Sequence, residues 1–168
     1  KLTIIEINKK IKKNDFKGSH IVSNVKKKKF SEFIKLCKDN KGLIKPERIV
    51  KELNDALPKN TYIVVDPGTP CPYFAAYYNF SKSGRYFLTN RAHGALGYAL
   101  PASIGVQIAK PKNKVVSIMG DGSFGFTVGE LETAFRLKLP IIFIVISNSV
   151  YGWIKAGQKS SFNKRYYS

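Results

Sequence analysis

Six apolar residues in a row, Ile141-Ile142-Phe143-Ile144-Val145-Ile146, stand between Pro140 and Ser147. A strand with one wet face alternates apolar and polar residues, so an unbroken run predicts a strand covered on both faces. Sheets of that kind are parallel and lie between layers of helix. The run thus points to an α/β fold, a parallel sheet with helices on both faces, and the rest of the chain can be read against that expectation.

Two further runs have strand character: Tyr62-Ile63-Val64-Val65, and Val115-Val116-Ser117-Ile118-Met119. Helical spacing separates them. Pro46 opens a helix whose Ile49, Val50, Leu53 and Leu57 share one face before Pro58 stops it. Phe74 to Tyr78 reads as a short helix, and Pro101 begins one that runs to Ala109. Thr127-Val128-Gly129-Glu130 fits a capping box, followed by Leu131, Ala134, Phe135 and Lys138 at helical spacing. Strand, helix, strand, helix, strand with short connections implies right-handed crossovers in one parallel sheet.

The first 40 residues fit this scheme poorly. Leu2 to Ile7 reads as a strand, a Lys/Asn-rich loop follows, and Ile21-Val22 is a second short apolar piece. Phe30, Phe33, Ile34 and Cys37 then suggest an amphipathic helix behind the run Lys26-Lys27-Lys28-Lys29. We read residues 1–40 as the tail of another domain, with Asp39-Asn40-Lys41-Gly42 as linker, and 41–168 as the main domain, incomplete at its carboxyl end. The chain opens on Lys1 and its single Met is Met119, which also reads as a processed chain or a fragment.

A formal charge of +18 raises the possibility of a nucleic-acid or other anionic partner. The basic residues are spread through both parts of the chain, however, and aromatic residues are not interleaved with them in a nucleic-acid-binding pattern. Cys37 and Cys71 lack CxxC spacing, and two histidines are too few for a zinc set, so the expected compartment is the reducing cytoplasm. No apolar run reaches the ~18 residues needed to span a bilayer, and no signal-peptide pattern opens the chain.

In open α/β sheets, ligands collect beyond the carboxyl ends of the strands. Asp66 to Thr69, Gly120 to Phe124 and Asn148 to Gly152 all fall there. Glycines let backbone amides approach phosphate oxygens, and magnesium takes hard oxygen ligands, several of them from phosphate and water. Gly120-Asp121-Gly122-Ser123 offers a carboxylate between glycines and a hydroxyl. Asn148 offers a carboxamide oxygen after the next strand, and the Val150 carbonyl can add a third ligand. Taken alone, Asp121-Gly122 is also a common turn pair, and Asn148 a common cap or turn residue.

Gly120-Asp121-Gly122 followed 27 positions later by Asn148 resembles the thiamine-diphosphate fingerprint. The stretch Gly94-Ala95-Leu96-Gly97-Tyr98-Ala99-Leu100-Pro101-Ala102-Ser103-Ile104-Gly105 resembles the segment preceding that fingerprint in acetolactate synthases and related 2-oxoacid decarboxylases. Leu2 to about Val25 is similar to the closing strands of that family's central domain. The resemblance implies a thiamine-diphosphate-binding fold, with Asp121, Asn148 and the Val150 carbonyl on magnesium. It implies Gly68, Thr69, Gly120, Gly122, Ser123 and Gly152 around the diphosphate. The Gly94 carbonyl would meet the cofactor's 4'-amino group, and Leu96 would wedge beneath the thiazolium, although Leu96 can equally be ordinary core.

The implied activity is decarboxylation of a 2-oxoacid with carbon–carbon bond formation, in which the cofactor performs the bond chemistry. Other thiamine-diphosphate enzymes remain alternatives: a 2-oxoacid decarboxylase, a 2-hydroxyacyl-CoA lyase or an oxidoreductase beta subunit. So does a basic nucleic-acid-binding protein of another class. The family takes its activating glutamate from a separate pyrimidine-binding domain, in the same or another chain, and assembles as a homodimer or tetramer. No residue here replaces that glutamate, since Glu130 and Glu132 read as helix-start and surface charge. This chain alone is therefore expected to be inactive. Trp153 reads either as a wall of the substrate pocket or as core.

Overall fold

The computed structural model describes residues 2–10, 18–39 and 41–167. Four parallel strands form one sheet in the order β2-β1-β3-β4: β1 (Tyr62–Val65), β2 (Phe87–Leu88), β3 (Val115–Gly120) and β4 (Ile141–Ile146). Tyr62 pairs with Val115, and Val115 in turn with Ile141, so the three long strands start level. Their carboxyl ends therefore also finish close to level. β2, only two residues long, was not anticipated from the sequence.

Strand period two divides the core. Ile63, Val65, Val116 and Ile118 face one layer, together with Val50 of α3 (Pro46–Ala56) and Cys71 and Phe74 of α4 (Pro70–Tyr77). Val64, Val115 and Met119 face the other, against Ala99, Leu100 and Ile104 of α5 (Ala99–Ala109) and Ala134 of α7 (Glu130–Arg136). The β1 and β3 residues in both sets are fully buried. Each such aliphatic side chain contributes about 1.5–3 kcal/mol of transfer free energy. The expected parallel sheet with helices on both faces is what forms.

β4 departs from the expectation that its unbroken apolar run is covered on both faces. It is an edge strand among the described residues, and Ile142 and Val145 are about 40% exposed. Beside it, Phe135 stands 85% exposed on α7, next to an apolar groove formed by Leu131, Ala134, Leu139 and Phe143.

The amino-terminal strands are also replaced by helices. Leu2 to Ile7 lies in α1 (Leu2–Lys10), and Ile21-Val22 lies in α2 (Gly18–Cys37). With no sheet edge beside them, these segments satisfy their backbone N–H and C=O groups internally, which a helix does and a lone strand cannot. The loop residues 11–17 and the linker residue Asn40 lie outside the described residues. α2 holds the expected amphipathic segment: Phe33 stacks on Tyr77 of α4 at 4.5 Å between ring centroids, and Cys37 is buried beside α3.

The capping box is a third correction. The chain from Asp121 to Arg136 forms two helices, α6 (Asp121–Thr127) and α7, and Gly129 precedes α7 without a side-chain cap. Thr127 closes α6 instead and donates its hydroxyl to the Gly97 carbonyl at 3.3 Å, so a tertiary partner outcompetes the local one. Glu130 is exposed, and Glu132 pairs with Arg136 on the surface. Among the described residues no helix is long and apolar enough to cross a membrane.

Candidate functional site

Three helices begin where β1, β3 and β4 end. Thr69 precedes α4, Gly120 leads directly into α6, and Tyr151 precedes α8 (Gly152–Ser161). A helix start carries unpaired amides and about half a positive charge, so three starts around one space favour an anion there. The space is a cavity of about 480 Å³. Its walls include every residue singled out in the sequence: Gly68, Thr69, Gly94, Leu96, Gly120, Asp121, Gly122, Ser123, Asn148, Val150 and Gly152.

Asp121 and Asn148 meet across adjacent strands. Asp121 Oδ2 accepts the Asn148 N–H at 3.1 Å, the Ser149 N–H at 2.7 Å and the Ser147 hydroxyl at 2.9 Å; Oδ1 accepts the Gly122 N–H at 2.8 Å. Burial pushes the Asp121 carboxyl up, but the hydrogen bonds from Ser147, Ser149, Gly122 and Asn148 outweigh it and hold the group below its ordinary value. The carboxylate is therefore ionised at neutral pH. Asn148 Oδ1 accepts the Val150 N–H at 3.2 Å, and Ser149 adopts φ 57°, which turns the loop sharply beneath Asp121. So the tripeptide is a helix start rather than a plain turn.

Two glycines sit at close approaches, the tighter one at Gly122. A Cβ on Gly122 would lie 2.5 Å from the Tyr151 ring, and one on Gly152 would lie 3.2 Å from Asn148 Nδ2 and 3.3 Å from Thr69 Oγ1. On the other wall, Leu96 is 38% exposed and its side chain packs over Gly68, with Cδ2 3.6 Å from where a Cβ would stand. Leu96 is thus a cavity wall and not enclosed core. Trp153 also lines the cavity and is 57% exposed.

Sequence reading placed Asp66 in a candidate loop but gave its side chain no role. It is fully buried at the end of β1, and its carboxylate accepts the N–H groups of Gly97 (2.9 Å), Tyr98 (3.2 Å) and Ala99 (3.0 Å). Burial raises its pKa, partly countered by those amides and by the Ser123 hydroxyl. Ser123 is buried and lines the cavity. Ser147, Tyr151 and Arg91 were missed as well; Arg91 Nη1 donates to the Pro67 carbonyl at 2.5 Å.

The donor set suits a hard cation. Among the described residues no group of three His, Cys, Asp or Glu side chains is placed to hold a metal. One ionised carboxylate, a carboxamide oxygen and a nearby carbonyl are too few for a protein-only cage. They match magnesium, which keeps water and takes phosphate oxygens from its ligand. Fold and site together define a parallel α/β domain built to hold a metal-bound diphosphate at the carboxyl ends of its strands.

Comparison with known proteins gives that class its family. The model of the thiamine pyrophosphate enzyme carboxyl-terminal TPP-binding domain matches residues 66–168, and the chain belongs to that family. It is 38% identical over 119 residues to acetolactate synthase of Bacillus subtilis (strain 168), covering 71% of this chain and 21% of that one. With a probable acetolactate synthase large subunit of Methanococcus aeolicus it is 33% identical over 166 residues, covering 95% of this chain and 27% of that one. The chain thus spans between a fifth and about a quarter of the length of these relatives. Among solved structures, the Rhodococcus jostii RHA1 thiamine diphosphate-dependent 4-hydroxybenzoylformate decarboxylase matches with a TM-score of 0.66 and 25% identity, over 74% of this chain and 23% of that one.

Proposed function

We propose that this chain is the diphosphate- and metal-holding part of an acetolactate synthase-like enzyme, which decarboxylates a 2-oxoacid and forms a carbon–carbon bond. The observation that carries the reading is the meeting of an ionised Asp121 with the Asn148 loop at the start of α6. Asp121 and Asn148 hold magnesium through their side chains and Val150 through its carbonyl. Gly120, Gly122 and Ser123 on one side, and Gly68, Thr69 and Gly152 on the other, enclose the diphosphate. Gly94 and Leu96 stand at the ring end, Gly94 offering its carbonyl and Leu96 an apolar edge. When bound, the cofactor supplies the nucleophilic carbon and the electron sink.

The activating glutamate comes from a pyrimidine-binding domain in the same or another chain, within a homodimer or tetramer, and this chain alone is inactive. The exposed apolar residues of α7 and β4, Phe135, Ile142 and Val145, support a covering by further protein. Residues 1–40 are the tail of a central domain and its linker, and 41–168 are the cofactor domain. A simple decarboxylase is the second reading, favoured by the solved structure it resembles. Titrating the full-length protein with thiamine diphosphate should show binding that magnesium strengthens and a chelator removes. Analysis of the products formed from pyruvate then separates ligation from decarboxylation alone. Nucleic-acid binding that persists without the cofactor and weakens steeply with salt would instead favour the basic binding protein.

A further inference from the structure

Among the described residues that line the cavity, Arg91 is the one cation. It sits on a braced turn. The Asn90 carbonyl accepts the N–H groups of His93 (3.0 Å) and Gly94 (2.8 Å), and the Asn90 side-chain amide donates to the Ala95 carbonyl at 3.1 Å. The Pro67 carbonyl is the one hydrogen-bond partner of Arg91 among the described residues. A guanidinium carries five N–H donors, so a single carbonyl neither saturates nor neutralises it. Asp66 is engaged by the amides at the start of α5, and Asp121 by the Ser147 to Ser149 loop. Arg91 is therefore an exposed cation on the cavity wall, held by the Pro67 carbonyl and without a counter-ion among the described residues.

The metal corner already answers the charge of a diphosphate, and it stands at the ends of β3 and β4. Arg91 follows β2, at the opposite edge of the sheet, and comes three residues before Gly94. Resting on the reading that places the reactive ring against Gly94 and Leu96, we propose that Arg91 docks the carboxylate of a second, acceptor acid, one that keeps this carboxylate in the product. The planar guanidinium fork matches a carboxylate through two parallel hydrogen bonds. A carboxylate that leaves as carbon dioxide loses its charge on the way to the transition state. Clamping it to a fixed arginine would favour the ground state and slow the reaction. A retained carboxylate carries no such penalty.

The test compares the full-length protein with its Arg91→Gln and Arg91→Lys variants. Three quantities are read: calorimetric affinity for thiamine diphosphate with magnesium, affinity of the loaded protein for oxamate, and the ratio of carboxylate-bearing product to carbon dioxide from pyruvate. For Arg91→Gln, cofactor affinity should stay within about twofold, while oxamate affinity falls about tenfold or more, as expected for a lost charge-assisted hydrogen bond. The product ratio falls with it while carbon dioxide release continues, and Arg91→Lys recovers part of both. Should Arg91→Gln fail to fold by circular dichroism, a partial loss of oxamate affinity in Arg91→Lys carries the test. Unchanged oxamate affinity and product ratio overturn the assignment. So does a loss confined to cofactor affinity, which would put the guanidinium on the diphosphate. A wild-type protein that binds cofactor and releases carbon dioxide but makes no carboxylate-bearing product overturns the Arg91 role alone. A wild-type protein that binds no cofactor overturns the functional reading beneath it.

Discussion

The buried carboxylate of Asp66, at the end of β1, accepts the Ala99 N–H at the first residue of α5 at 3.0 Å. With the bonds from Gly97 and Tyr98 it ties the strand to the turn that carries Gly94 and Leu96. Asp66→Ala leaves three amides without an acceptor, and each buried orphan costs about 1–3 kcal/mol, so a loss of roughly 3 kcal/mol or more is expected. Asp66→Asn recovers part, because its carboxamide oxygen still accepts on one side. Thermal unfolding of the full-length protein measures both; a melting temperature unchanged in Asp66→Ala would refute the role.

The two site aspartates should titrate on opposite sides of 3.8, their ordinary value. Asp121 is lowered, so its contribution is fully present above 3.8 and disappears as pH falls through its folded pKa. Asp66 is raised, so the folded state binds its proton more tightly than the unfolded one, and its ionisation costs stability as pH rises from 3.8 through its folded pKa. Carbon-detected NMR of labelled aspartates follows the two groups separately. Titration of both at the same pH would contradict the burial that sets Asp66 apart from Asp121.

Much of this was legible in sequence because it is local. The β1, β3 and β4 runs announce themselves by apolar continuity, and Asp121 and Asn148 by following two of them directly. What escaped is long-range. Asp66 acts on residues 31 to 33 positions away, and its only sequence trace is that α5 starts without a capping side chain of its own. Thr127 looked like a cap because a distant carbonyl, that of Gly97, cannot be seen from neighbouring residues. The strand expected at Leu2 to Ile7 failed because alternation does not supply a pairing partner.

Gly94 and Gly97 separate backbone strain from crowding. Both have positive φ, 79° and 85°, but a Cβ at Gly94 meets nothing within 4 Å, whereas at Gly97 it would lie 3.0 Å from Thr127 Cγ2 and 3.1 Å from Phe126 Cβ. Gly94→Ala should cost about 1–2 kcal/mol, the left-handed penalty alone. Gly97→Ala adds overpacking of about 1 kcal/mol or more. Denaturant melts of the two variants compare them, and equal losses would show that Thr127 and Phe126 yield freely.

Magnesium-dependent thiamine diphosphate binding by Asp121→Ala in the full-length protein tests the central claim most directly. Without that carboxylate the metal loses its one anionic protein ligand, so calorimetry should find cofactor affinity reduced by at least about a hundredfold and no longer responsive to magnesium. Affinity and magnesium dependence equal to the wild type would contradict the placement of the metal at Asp121 and Asn148.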